Sequence, residues 1–268
     1  MPIRLVAIDL DDTLLDHQTK VSPRAVEAIR QAMAQGVTVT VATGRMYASA
    51  LPYARQLNLD VPLITYNGAL IKACLSGEVL YHRTIERELA AEIMELFRAR
   101  DWYIQSYVDD VLYVREVNDQ ARAYEASAKV KAVPLGESFY TEALPPTKML
   151  ALARPEEIRE QYRVVKQHFG GRLYAAVSKP TYLEMTHPAV NKGIALSYLA
   201  QKLGVDRREV MAIGDSQNDL DMIEFAGWGV AMGNAMDLVK SKADAVTAAN
   251  DADGVAEAIE RYILQENR

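Results

Sequence analysis

Residues 5–15, Leu-Val-Ala-Ile-Asp-Leu-Asp-Asp-Thr-Leu-Leu, join an apolar run directly to three carboxylates. Four consecutive apolar residues rich in β-formers predict a strand that is buried on both faces. Two negative charges about 4 Å apart repel by about 4 kcal/mol at an effective dielectric constant of about 20, so Asp9, Asp11 and Asp12 require compensation. A cation, a cationic side chain or a functional site would explain them. The alternative is that these acids only end the strand and solvate a turn.

Composition and length restrict the class of protein. The chain has 268 residues, half of them apolar, which is enough for one large domain or two ordinary ones. Its first apolar run is too short for a secretory signal and no segment is apolar enough to span a membrane, so we expect a cytoplasmic protein. The single cysteine, Cys74, excludes an intramolecular disulfide and a thiolate zinc cluster. A net charge of −6 without a basic run argues against nucleic acid or anionic lipid as a partner.

The first 70 residues show the alternating pattern of a parallel α/β protein. Ser22 and Pro23 are typical of a helix start, and that helix should end at Gly36. The pattern then predicts a strand over 37–42, a helix over about 46–57 and a strand over 62–66. Strands alternating with helices in this way indicate a parallel sheet.

The middle of the chain has a different pattern, with short strands that pair and helices between them. The sequence predicts a hairpin of 103–108 with 111–115 around Asp109-Asp110, helices near 87–100, 118–129 and 155–168, and a loop over 134–146. The parallel pattern resumes at Asn191, with a helix that ends at Gly204 and a strand over 209–213. We therefore predict a discontinuous α/β core of residues 1–82 and 188–268, with an α+β domain of residues 83–187 inserted into it.

Polar clusters follow the predicted strands of the core. They are Asp9–Thr13, Thr43–Arg45, Asn67-Gly68 and Gly214–Asp219, with Lys192 at the start of a helix. Each alone is explained by a turn, a helix cap or a surface charge. In an open parallel sheet, however, ligands bind outside the carboxyl ends of the strands. Together, and in this order, the clusters predict a single site.

These motifs resemble the four signature motifs of the haloacid dehalogenase (HAD) superfamily. They are Asp9-Leu10-Asp11-Asp12-Thr13, Thr43 after an apolar strand, Lys192, and Gly214-Asp215 with Asn218-Asp219. The long insertion before Lys192, together with residues 184–188 and 233–235, is similar to the Cof-like sugar-phosphatase branch. The resemblance implies a Rossmann-like parallel sheet with helices on both faces and an inserted α+β cap domain.

The resemblance also implies a role for each motif residue. Asp9 would be the nucleophile and a metal ligand, and Asp11 the proton donor and acceptor whose backbone carbonyl binds the metal. Thr43, Gly44 and Lys192 would hold the phosphoryl group, Asp215 would bind Mg²⁺, Asp219 would support the metal site without binding the ion, and Asn218 would give further support. Arg45 could touch the substrate or pair with an acid, and we favour the structural role.

The implied activity is a Mg²⁺-dependent phosphatase that acts on a small phosphorylated metabolite through an aspartyl-phosphate on Asp9. Two alternatives remain open: a phosphomutase of the same superfamily, and a regulatory binding protein that is phosphorylated on aspartate. The substrate, the cap residues that select it and the oligomeric state are not assigned by the sequence.

Overall fold

The computed structural model describes residues 2–141 and 144–265. The chain divides into two compact units. The first, which we call the core unit, consists of Met1–Tyr81 and Asn191–Arg268, and the second, the inserted unit, is His82–Val190. Among the described residues, no helix combines the length and the apolar character that a membrane span requires.

The strands and helices are numbered in chain order. The strands are β1 (Leu5–Ile8), β2 (Thr38–Val41), β3 (Pro62–Thr65), β4 (Leu70–Ala73), β5 (Val79–His82), β6 (Gln105–Val108), β7 (Val111–Val114), β8 (Ala132–Pro134), β9 (Lys148–Leu152), β10 (Tyr174–Lys179), β11 (Tyr182–Thr186), β12 (Val210–Gly214), β13 (Trp228–Ala231) and β14 (Ala245–Val246). The helices are α1 (Pro23–Ala34), α2 (Tyr47–Gln56), α3 (Arg87–Ala99), α4 (Asp119–Ala128), α5 (Ser138–Thr141), α6 (Pro155–Phe169), α7 (Lys192–Leu203), α8 (Leu220–Phe225), α9 (Asp237–Lys242) and α10 (Gly254–Ile259).

The main sheet of the core unit is parallel, with the strand order β14-β13-β12-β1-β2. All four residues of β1 are fully buried, as the apolar run predicts. The chain leaves β1 for β2 on one side and later returns to β12 on the other. The carboxyl ends of β1 and β12 therefore form the point at which the strand order reverses, where α/β proteins bind ligands.

Helices pack against this sheet with the predicted ends. The Ser22 hydroxyl accepts a hydrogen bond from the backbone N–H of Ala25 at 3.1 Å, so it caps α1. The Asn191 side chain accepts from the backbone N–H of Ile194 at 2.7 Å and caps α7 in the same way. Helix α1 contacts α10, and α7 contacts α8. The predicted fold class, a parallel sheet core with helices and an inserted α+β domain, is confirmed.

Strand β3 differs from a simple continuation of the parallel sheet. It meets β2 in a single parallel bridge between Ala42 and Ile64. Its main partner is β4, with which it pairs antiparallel in the sheet β3-β4-β5. The chain reverses between them at Tyr66, Asn67 and Gly68, all of which have positive φ. This tight reversal is why β3 joins a second sheet.

The inserted unit contains a sheet of order β10-β11-β9-β6-β7-β8. The predicted hairpin is present as β6 and β7, and both residues of its turn, Asp109 and Asp110, have positive φ. The loop prediction for 134–146 is wrong at Pro134, which is the last residue of β8, and at Ser138–Thr141, which form α5 because Phe139 is buried in the core of this unit. Residues 142 and 143 of that predicted loop lie outside the described residues.

Gly68 lies where the reversal after β3 packs against the start of α7, so a substitution of Gly68 tests that packing. It has φ +103°, and a Cβ there would lie 2.4 Å from the carbonyl oxygen of Asn191. We expect Gly68→Ala to lower the free energy of unfolding by roughly 2 kcal/mol or more, since a strained φ and a backbone clash add together.

Gly36→Ala is the matched control, because Gly36 has φ +84° with nothing within 4 Å of an added Cβ. It should show only the cost of φ, about 1 kcal/mol. Urea denaturation of both variants measures the difference. An equal loss in the two would contradict the close packing at Gly68.

Candidate active site

Asp9 lies at the carboxyl end of β1. Its backbone N–H donates to the carbonyl oxygen of Ile213 at 3.0 Å, which continues the pairing of β1 with β12. The side chain is almost fully buried and accepts a hydrogen bond from the ammonium of Lys192 at 2.6 Å. The strand end therefore carries a buried carboxylate that is matched to a cation.

Lys192 is the first residue of α7 and is fully buried. Its ammonium also donates to Asp219 at 2.6 Å, so it bridges two carboxylates. Burial alone would lower the pKa of Lys192, but Asp219 and Asp9 raise it above its ordinary value. The lysine consequently stays charged.

The pKa of Asp9 is raised well above its ordinary value. Burial is the main cause, Lys192 opposes it, and the carboxylates of Asp219 and Asp215 add to the increase. Burial and Asp219 similarly raise the pKa of Asp215 to about 7. The site thus holds more negative charge than one lysine balances.

Asp219 organises the loop after β12. Its Oδ2 accepts from the backbone N–H groups of Asp215 and Ser216, both at 3.0 Å, while its Oδ1 accepts from Lys192. Gly214 makes room for this arrangement, because a Cβ there would lie 2.5 Å from the Cβ of Asp219. Asp219 therefore orients both the lysine and the loop that presents Asp215. Support of a metal by Asp219 stays a prediction.

Oxygen atoms of Asp9, Asp215 and Asp219 lie within 4.8 Å of one another, close enough to share a metal ion. Because both oxygens of Asp219 already accept hydrogen bonds, we favour Asp9 and Asp215 as the side-chain ligands. A set of carboxylate oxygens without nitrogen or sulfur suits a hard cation such as Mg²⁺. The residues present therefore fit the ion that the resemblance implies.

Thr13 belongs to this cluster, although its sequence context predicts only that it shapes the turn with Asp12. Its hydroxyl donates to Oδ1 of Asp215 at 3.0 Å. Thr13 is buried, whereas Asp12 beside it is exposed and has φ +58°. The feature of the sequence that could have indicated this contact is the position of a hydroxyl directly after the acidic residues Asp11 and Asp12.

The end of β2 supplies a second group of polar residues. Thr43 is fully buried; its N–H donates to the carbonyl oxygen of Ile64 and its carbonyl accepts from the N–H of Asn67, both at 2.9 Å. The Asn67 side chain lies against Gly44 and accepts from the side chain of Asn218 at 2.9 Å. Asn67, which had no assigned role, connects the Thr43 loop with the loop after β12.

Asp11 has a separate partner. Both of its carboxylate oxygens accept hydrogen bonds from Arg45, at 2.6 and 2.8 Å. The structure thus brings Asp9, Lys192, Asp215 and Asp219 into one cluster, links Asn218 to the Thr43 loop, and pairs Asp11 with the arginine whose role was left open.

Comparison with known proteins agrees with this geometry. The family of haloacid dehalogenase-like hydrolases matches residues 6–259. The chain is 33% identical to the 5-amino-6-(5-phospho-D-ribitylamino)uracil phosphatase YcsE of Bacillus subtilis, over 98% of this chain and 96% of that protein. It is 30% identical to the phosphatase YwpJ of the same organism, over 95% of this chain and 98% of that one.

A solved structure has the same fold. It is a haloacid dehalogenase-like hydrolase from Bacteroides thetaiotaomicron, which is 32% identical and matches with a TM-score of 0.90 over 97% of this chain and 99% of that one. The protein is therefore an enzyme that belongs to the haloacid dehalogenase-like hydrolase family, in its Cof-like branch of phosphatases.

Proposed function

We propose that the protein is a Mg²⁺-dependent phosphatase that hydrolyses small phosphorylated metabolites through an aspartyl-phosphate on Asp9. The observation that carries this proposal is the buried contact of Lys192 with Asp9 at the switch point of a parallel sheet. A carboxylate with a fixed cation beside it is suited to attack a phosphoryl group, because the cation offsets the repulsion between two anions. The substrate named for YcsE supports a small phosphorylated molecule.

In the first step, an oxygen of Asp9 attacks phosphorus and the bond from phosphorus to the ester oxygen breaks. Asp11 gives a proton to that leaving oxygen, which departs as an alcohol. The Thr43 hydroxyl and the Gly44 N–H would hold the phosphoryl oxygens, with Asn218 as further support, while Lys192 neutralises charge.

In the second step, Asp11 accepts a proton from a water molecule, and that water attacks the phosphorus of the aspartyl-phosphate. The bond from phosphorus to Asp9 breaks, which releases inorganic phosphate and restores the carboxylate. The side chains of Asp9 and Asp215 and the carbonyl of Asp11 would hold Mg²⁺. When bound, the ion supplies further positive charge against the phosphate dianion.

For the inserted unit we propose the cap function that the resemblance implies, which is to exclude water and contact the remainder of the substrate. We propose the cytoplasm as the compartment, in keeping with a chain that has one cysteine.

Asp9→Asn should remove turnover while the fold is retained, because the amide is almost isosteric and keeps an oxygen for Lys192. We expect phosphate release to fall by roughly 10⁴-fold or more. The rate of phosphate release is measured in the presence of Mg²⁺ with a panel of substrates that contains sugar phosphates, nucleotides and flavin mononucleotide. Asp206→Asn is the control, since Asp206 is an exposed residue of the core unit. Retained phosphate release in Asp9→Asn would overturn the assignment of the nucleophile.

Chelation by EDTA should abolish phosphate release, and added Mg²⁺ should restore it. Asp215→Asn should raise the Mg²⁺ concentration for half-maximal activity by roughly tenfold or more, because a ligand has lost its charge. A Mg²⁺ titration of both proteins provides the comparison. Full activity in EDTA would contradict the proposed metal site.

Asp11→Asn should slow both steps by roughly 10²-fold or more, because an amide can neither donate the required proton nor accept one. The phosphorylated enzyme should then persist long enough to be seen by intact-protein mass spectrometry after mixing with substrate. A normal rate in this variant would show that another group transfers the proton.

A further inference from the structure

Arg45 contacts Asp11 at two points. Nη2 donates to Oδ1 at 2.6 Å and Nε donates to Oδ2 at 2.8 Å. A guanidinium fork matched to both carboxylate oxygens sets the plane and the direction of the carboxylate, which a single hydrogen bond would not do. Arg45 thus contacts both oxygens of the Asp11 carboxylate.

Arg45 is itself held from several sides. Its guanidinium lies over the ring of Tyr53, 5.2 Å from the centroid, and contacts the Tyr53 hydroxyl at 3.5 Å. Its backbone N–H donates to the Thr43 hydroxyl at 3.1 Å, and its carbonyl accepts from the N–H of Tyr66 at 2.9 Å. The Arg45 side chain is only 16% exposed, although that of Asp11 is 45% exposed. The arginine is the fixed partner and the aspartate the more accessible one.

The ion pair of Arg24 with Glu260, also in the core unit, provides a comparison for the ion pair of Arg45 with Asp11. Arg24 contacts Glu260 through the same two nitrogens, Nε at 3.0 Å and Nη2 at 2.7 Å, but its side chain is 51% exposed. Exposed pairs of this kind contribute little to stability. Arg45 differs in being packed by Tyr53 and in sharing its loop with Thr43.

We propose that Arg45 is a positioning residue for Asp11, which fixes the carboxylate in the direction needed for proton transfer and does not contact the transferred phosphoryl group. This inference rests on the proposed phosphatase function. A carboxylate oxygen has two lone pairs, so a fork that uses one on each oxygen does not by itself prevent Asp11 from binding a proton. Proton transfer requires the donor and acceptor within hydrogen-bond reach, so a loosely held Asp11 would be inefficient.

The test uses the dependence of the first step on the leaving group. A sugar phosphate releases an alkoxide-like oxygen that needs a proton, whereas p-nitrophenyl phosphate releases a stable phenolate. In Arg45→Ala, single-turnover release of the sugar should slow by roughly 10- to 100-fold, since a small misplacement of a reacting group has an effect of that size. Release of p-nitrophenol should slow by less than about threefold, with KM for both substrates nearly unchanged.

Three further variants complete the experiment. Arg45→Lys should recover only part of the loss, because an ammonium provides the charge without the fork. In Asp11→Asn, the addition of Arg45→Ala should cause almost no further loss, since residues that act through one another are not additive. Arg24→Ala is the matched control and should keep the sugar-release rate of the unchanged protein.

Several outcomes would overturn the proposal. Equal losses with both substrates, together with weaker inhibition by inorganic phosphate, would show that Arg45 binds the phosphoryl group. Full recovery by Arg45→Lys would show that charge alone suffices, and a lowered denaturation midpoint that accounts for the loss would show a structural role. If Asp9→Asn is inactive and Arg45→Ala is normal, only this inference fails; if Asp9→Asn is active, the proposed function fails as well.

Discussion

The buried ammonium of Lys192 is the interaction on which the arrangement of this core depends. It contacts Asp9 and Asp219 at 2.6 Å in a place with almost no access to solvent. Desolvation costs several kcal/mol for each buried ion, so such a group persists only with close partners. The contacts therefore require the end of β1, the start of α7 and the loop after β12 to meet at one point. Gly68 and Gly214 permit that approach, since a Cβ at Gly68 would collide with the carbonyl oxygen of Asn191 and a Cβ at Gly214 with the side chain of Asp219.

Charge in the same cluster is not balanced by the protein alone. When all three are ionised, the carboxylates of Asp9, Asp215 and Asp219 with the single ammonium of Lys192 carry a net formal charge of −2, because three negative charges meet one positive charge. The raised pKa values of Asp9 and Asp215 have the same origin, burial next to other carboxylates. A divalent cation would remove this excess. The imbalance supports the proposed Mg²⁺ site independently of the resemblance to known phosphatases.

Local sequence features predicted much of the fold, because their physical causes are local. The apolar run of β1, the cap at Ser22 and the Asp109-Asp110 turn depend on neighbouring residues. Features that depend on distant contacts were missed. The helix Ser138–Thr141 forms because Phe139 is buried in the hydrophobic core of the inserted unit. Strand β3 pairs mainly with β4, outside the parallel sheet, because of the reversal that follows it. The partners of Thr13 and Arg45 lie 202 and 34 residues away, and spacing in the sequence does not specify such pairs.

Asp9 and Asp11 are two residues apart, yet their surroundings differ in the way that the proposed two-step phosphoryl transfer requires. Asp9 is buried, anchored through its backbone to β12 and paired with an ammonium, which suits a nucleophile that must not move. Asp11 is nearly half exposed and is oriented by a guanidinium, which suits a group that must reach both a leaving oxygen and a water molecule. Neighbouring carboxylates acquire distinct tasks when their environments diverge. Here the divergence arises because the chain turns out of the sheet between the two, so that each meets a different cation.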